Sequence, residues 1–108
     1  MMIQEPLLQL GWRTKIDPFT ILFMRADSNY TEVHLNNGNM ILSATSLGRL
    51  AKRLPSCQFI RPNRSVLVNL DFLTEYQRRD KSIKLNNNEV IQVSRRRTKQ
   101  VTRSINTY

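Results

Sequence analysis

The 108-residue sequence predicts a mostly-β domain with two short helices. Three observations carry that prediction. Residues 30–36 alternate strictly between polar and apolar side chains and run into Asn37-Gly38, the pair that a tight hairpin requires. A continuous apolar run in residues 19–25 suits a strand buried on both faces, and Val66, Leu67 and Val68 give residues 64–69 strand character. A helical period appears in only two places, after Thr45 and after Ser94.

The opening residues are the least regular. Leu7, Leu8, Leu10 and Trp12 could supply a first strand or a segment that docks on the body or on a partner, and Asp17-Pro18 is a turn signal. The expected division is an N-terminal segment, residues 1–15, and one domain over residues 16–108. Phe19 to Arg25 then reads as a buried strand and residues 26–29 as loop. In residues 30–36, Thr31, Val33 and Leu35 share one face, with Tyr30, Glu32, His34 and Asn36 on the other. Residues 39–44 return as the hairpin partner.

Leu47, Leu50, Ala51 and Leu54 follow the i, i+3, i+4, i+7 spacing of an amphipathic helix, with Thr45 or Ser46 as its cap and Pro55 as its stop. Strands are expected again at 59–61, 64–69 and 72–77, and as a pair at 82–85 and 90–93 around Asn86-Asn87-Asn88. Asn69, after an apolar run and before Asp71, fits a turn-forming role. Phe19, Phe23, Phe59 and Phe72 all fall in runs expected to be core. The last helix should start after Ser94 as cap and run through Val101 to Ile105. No two helical patterns adjoin, which excludes a helix-turn-helix reader.

Composition narrows the chemistry. The only cysteine, Cys57, cannot form an internal disulfide and fits a reducing cytoplasm; no run is long and apolar enough for a membrane span, and no leader pattern is seen. One His and one Cys cannot build a zinc site, no carboxylates are paired for acid–base work, and no phosphate-binding glycine loop exists. An enzyme, a catalytic residue, a metal and a cofactor are therefore not expected. The net charge is +9, and residues 55–108 carry eleven bases against four acids, compared with six against four in residues 1–54. That field favours a polyanion, although a basic surface can also serve solubility alone.

Three stretches place hydrogen-bonding side chains at loops or element boundaries: Ser28-Asn29-Tyr30, Arg61-Pro62-Asn63-Arg64-Ser65, and Ser94-Arg95-Arg96-Arg97. Arginine can fork onto guanine or clamp a phosphate, asparagine can pair twice with adenine, and serine hydroxyls suit phosphate oxygens. Solvated arginines and turn-forming asparagines are the plainer alternative for any one stretch.

The order of a first strand, SNYTEVHL, a turn, the helix LGRLAKRLP, FIRPNRSVLVNL, a hairpin, VSRRR and a final helix resembles the LytTR family of bacterial DNA-binding domains over residues 16–105. The resemblance implies an elongated domain of small antiparallel sheets whose loops enter successive major grooves of double-stranded DNA, at promoter sites arranged as repeated half-sites, with a homodimer on the DNA. By position it makes Asn29, Asn63, Arg64 and Arg96 the base readers. Ser28, Tyr30, Arg61, Ser65, Ser94, Arg95, Arg97 and Lys99 would grip phosphate or brace the loops. The sequence departs from the family where Asn63 stands in place of a frequent His, and where Arg25 stands in place of an acid, which puts the base preference in question. A basic β-domain that binds RNA and a protein-interaction module remain the alternatives.

Overall fold

The computed structural model describes residues 7–11 and 13–107. Its centre is a five-stranded antiparallel sheet made of β3 (Ile21–Asp27), β4 (Tyr30–Leu35), β5 (Met40–Ser43), β6 (Phe59–Asn63) and β7 (Val66–Asn69), in the spatial order β5-β4-β3-β7-β6. A three-stranded sheet is built from β8 (Leu73–Gln77), β9 (Ser82–Leu85) and β10 (Val90–Gln92) in the order β10-β9-β8. β1 (Leu8–Gln9) and β2 (Lys15–Ile16) form a small third sheet. The helices are α1 (Leu47–Lys52) and α2 (Thr98–Thr107). The molecule is a plate, 42 × 37 Å across and 24 Å thick.

The central sheet is covered on both faces at β3 and β7, which is why the first half of β3 and all of β7 are buried throughout. On one face Leu22, Phe23, Ile60, Val66 and Val68 pack with Ile83, Leu85, Ile91 and Val93 of the three-stranded sheet region and with Val101 of α2. On the other, Ile21, Met24, Val33, Phe59 and Leu67 meet Leu47, Leu50 and Leu54 of the α1 region, with Leu8 and Leu10. Val66 and Val68 thus anchor to one layer and Leu67, between them, to the other. The alternation expected in β4 also holds, with Thr31 and Val33 buried and Tyr30 exposed.

Local chemistry sets the element ends. Ser46 caps α1 by accepting from the Arg49 amide at 3.4 Å. Asp17 accepts from Phe19 N at 3.0 Å and starts a 3₁₀ turn over Pro18–Thr20, so β3 begins at Ile21 rather than at residue 19. That turn directs Phe19 outward, 44% exposed, against the expectation that it is core. Phe23 and Phe59 are buried as expected, and Phe72 is half-buried. Leu8 and Leu10 are core residues, while the Trp12 expectation falls outside the described residues.

Two boundaries near the basic stretches differ from the sequence reading. β6 continues to Asn63, so the hairpin turn is only Arg64-Ser65. The register slips between Ile60 and Asn63, around Pro62, which has no N–H to place in a ladder. After Ser94, a 3₁₀ turn over Arg95–Arg97 precedes α2. Ser94 has the extended backbone of a cap, yet its side chain makes no capping bond.

Candidate nucleic-acid interface

The register of the central sheet brings the first two basic stretches together. β3 and β7 are antiparallel with Arg25 opposite Val66, and Ala26 N donates to Ser65 O at 2.8 Å. The turn that closes β3–β4 therefore lies beside the turn that closes β6–β7. Ser28 takes a left-handed backbone (φ 57°) in the first turn, which leaves Asn29 exposed at its tip. Tyr30, at the start of β4, is 53% exposed.

In the second turn Arg64 and Ser65 are exposed. Asn63 is not presented in the same way. Its Oδ1 accepts from Ser65 N at 2.8 Å, and its Nδ2 donates to Gln92 O at 2.7 Å. Both ends of the amide are thus engaged, one closing the turn and the other tying it to β10. A bidentate contact to adenine would call on the same amide, so a reading Asn63 would have to share or leave these partners. Arg61 Nη2 donates to Arg64 O at 2.7 Å and so ties its guanidinium to the same turn.

The third stretch joins through the backbone of β6. Ser94 N donates to Pro62 O at 2.9 Å, and Arg97 Nη1 reaches Arg61 O at 3.4 Å. Arg64, Ser94, Arg96 and Arg97 then line one shallow depression. Arg95, Arg96 and Lys99 are exposed, and Arg97 is half-buried against β6. Of the twelve residues singled out by sequence, the structure unites the second and third stretches directly and sets the first alongside.

Electrostatics distinguish this cluster. Among the described residues Arg25 pairs with Glu89 and His34 with Glu32, whereas Arg61, Arg64, Arg96 and Arg97 have no ion pair. Desolvation lowers the Arg61 pKa first, and the charges of Arg97 and then Arg64 lower it further. The Nε–H of Arg61 is sealed from solvent without an acceptor. The cations repel one another and pair with no carboxylate among the described residues, an arrangement that a bound polyanion relieves.

Two supports went unnoticed in the sequence. Gln92 supplies the carbonyl that holds Asn63, and its Nε2 donates to Asp80 O at 2.8 Å; nothing in the polar side of a period-two strand marks it out. Arg25 binds Glu89 at 2.9 Å and lies 5.0 Å from the Phe23 ring centroid, linking the central sheet to the β9–β10 turn. An arginine at the end of an apolar run was the available signal for such a partner. His34 packs flat on Phe23, with ring centroids 4.4 Å apart, and pairs with Glu32.

The model of the family described as the LytTr DNA-binding domain matches residues 13–106. Among solved structures, the chain is similar to the LytTr DNA-binding domain of a protein described as a methyl-accepting/DNA response regulator from Bacillus cereus. The TM-score is 0.75 at 19% identity, covering 97% of this chain and 100% of that one, so the likeness is one of fold. No curated protein sequence matches the chain.

Proposed function

This chain belongs to the LytTR family of DNA-binding domains, and from that premise we propose that it regulates transcription by reading double-stranded DNA through its turns. Asn29, Arg64 and Arg96 are the base readers in this proposal. Ser28, Tyr30, Ser65, Ser94, Arg95 and Lys99 contact phosphates, while Arg61, Asn63 and Arg97 hold the readers in place. The observation that carries the proposal is the shared depression of Arg64, Ser94, Arg96 and Arg97, which has no ion pair from any acid among the described residues. The arginine fork matches guanine O6 and N7 in the major groove, the groove that distinguishes all four base pairs.

The long axis, 42 Å, exceeds the helical repeat of B-DNA, about 34 Å. One domain is thus long enough to reach two successive major grooves. Binding of two copies to repeated half-sites belongs to the same proposal, because three readers give limited discrimination and a second copy multiplies it. Among the described residues, the exposed aromatics Phe19 and Tyr30 sit at opposite rims of the central sheet, so these two make no stacking platform of the kind that favours single-stranded RNA.

The test is selection of bound sequences from random duplexes, followed by titration of the best site at several salt concentrations. Affinity should fall with a log–log slope that reflects on the order of five phosphates neutralised. Arg64→Ala should flatten the preference at one or two adjacent base pairs. A slope near zero removes the DNA reading; a uniform loss with every preference intact leaves Arg64 on the backbone and moves base reading elsewhere.

A further inference from the structure

A second concavity runs along the open edge of β6, between α1 and α2. Its volume is about 170 Å³, with Leu54, Phe59, Leu67 and Val101 making its apolar lining and Gln100 and Ser104 among its polar residues. Among the described residues, Arg61 is the only charged one that lines it. The Arg61 Nη1 lies 3.9 Å from the position a Cβ would take on Gly48, so the guanidinium packs against the first turn of α1. Its side chain makes one hydrogen bond among the described residues, to the Arg64 carbonyl, and no ion pair.

Apolar walls that end on an unneutralised cation select a definite class of molecule. The walls favour a compact apolar body, and the guanidinium favours a planar anion that can take two of its donors. An engineered apolar cavity of about 150 Å³ holds benzene, so 170 Å³ suits a single ring or a chain of similar bulk. We propose that this cleft is a binding site for a small amphiphilic monocarboxylate, with its apolar body between α1 and α2 and its carboxylate at Arg61.

Several features support the assignment. Among the described residues, no carboxylate lines the cleft to compete for Arg61. Its neighbours Arg97 and Arg64 add positive potential; burial first, and then those two charges, hold the Arg61 pKa below its ordinary value. Gln100 and Ser104 stand one helical turn apart, so they share the face of α2 that borders the cleft.

The experiment is a ¹H–¹⁵N NMR titration of the full chain, without DNA, using phenylacetate and its uncharged analogue phenylacetamide. Phenylacetate should move the amides of Leu54, Phe59 and Val101 and the Nε–H of Arg61 along one saturable curve. Phenylacetamide should bind at least about tenfold more weakly, a difference of about 1.4 kcal/mol. Ser104→Trp, which fills the cleft from α2, should abolish the shifts while the spectrum stays folded. Gln100→Trp, on an exposed position of the same face, makes the same test if the first variant does not fold. Non-saturating shifts, equal affinity for both probes, or shifts confined to Arg64, Arg95 and Arg96 would overturn the proposal. Since DNA is absent from the measurement, that outcome leaves the reading of DNA untouched, and a failure of DNA binding leaves this result untouched.

Discussion

At one rim of the central sheet Asn69 is wholly buried, and it accepts from Gln58 Nε2 and Asp71 N and donates to Ile21 O. At the other rim Arg64 is exposed and has no such partner among the described residues. The two residues bracket one short strand, β7, yet they meet opposite conditions. Around Asn69 every nearby turn closes on the protein itself: Asp17 caps residues 18–20, Thr20 O takes Asn36 N, and Gln58 O takes Leu70 N. Around Arg64 the backbone is equally well tied, but the side chains of Asn29, Arg64 and Arg96 are left outward. The difference teaches that this fold fixes its backbone at both rims and withholds internal acceptors at only one. A rim built that way can be rigid and still have its donors available to a ligand.

The largest expected effect lies at the closed rim. Asn69→Ala strands two donors and a carbonyl in the interior and should destabilise the domain by about 2–4 kcal/mol, measured by urea unfolding. Whatever protein stays folded should keep its base preferences; a selective loss of one preference would put Asn69 at the DNA and erase the contrast between the rims.

At the open rim the pattern should invert. Arg96→Ala should change stability by no more than about 0.5 kcal/mol and weaken binding to the preferred duplex by about 1–3 kcal/mol. Thermal melting beside fluorescence anisotropy checks both. Should the variant unfold, Arg96 is structural and the third stretch is not a reader.

Asn63 sharpens the comparison because it sits at the open rim with the bonding of the closed one. Asn63→Ala should cost about 1 kcal/mol of stability through its two lost hydrogen bonds. It should also weaken all duplexes alike, as expected when a turn loosens. Flattening at a single base pair would show that Asn63 leaves its internal partners and reads.

The smallest effect concerns the two helix starts. Ser46→Ala removes a real cap and should cost about 1 kcal/mol, whereas Ser94→Ala removes none and should stay within a few tenths. Ser94→Ala should instead weaken duplex binding and lower the salt slope by about one if its hydroxyl meets a phosphate. An equal stability loss in the two variants would mean that Ser94 caps its helix after all.

By itself the sequence determined the strands, because side-chain alternation in β4 and unbroken apolar runs in β3 and β7 follow directly from how many faces each strand buries. It also determined the place of the β4–β5 turn, where Gly38 alone of the Asn37-Gly38 pair takes a positive φ, the α1 cap at Ser46 and the turn that Asn69 closes on Asp71 N, all of which depend on residues within a few positions. The basic stretches were legible as charge, and their order as a family resemblance. Only the tertiary structure decided which of these residues are available. Asn63 and Arg64 are neighbours of similar appearance in sequence, but a carbonyl 29 positions away, at Gln92, occupies the first and nothing comparable occupies the second. The outward turn of Phe19 and the pairing of Arg25 with Glu89, 64 positions apart, were hidden for the same reason. Hydrogen bonds and ion pairs act over a few ångströms in space, and the chain places those ångströms by packing its sheets, a step that local pattern does not encode.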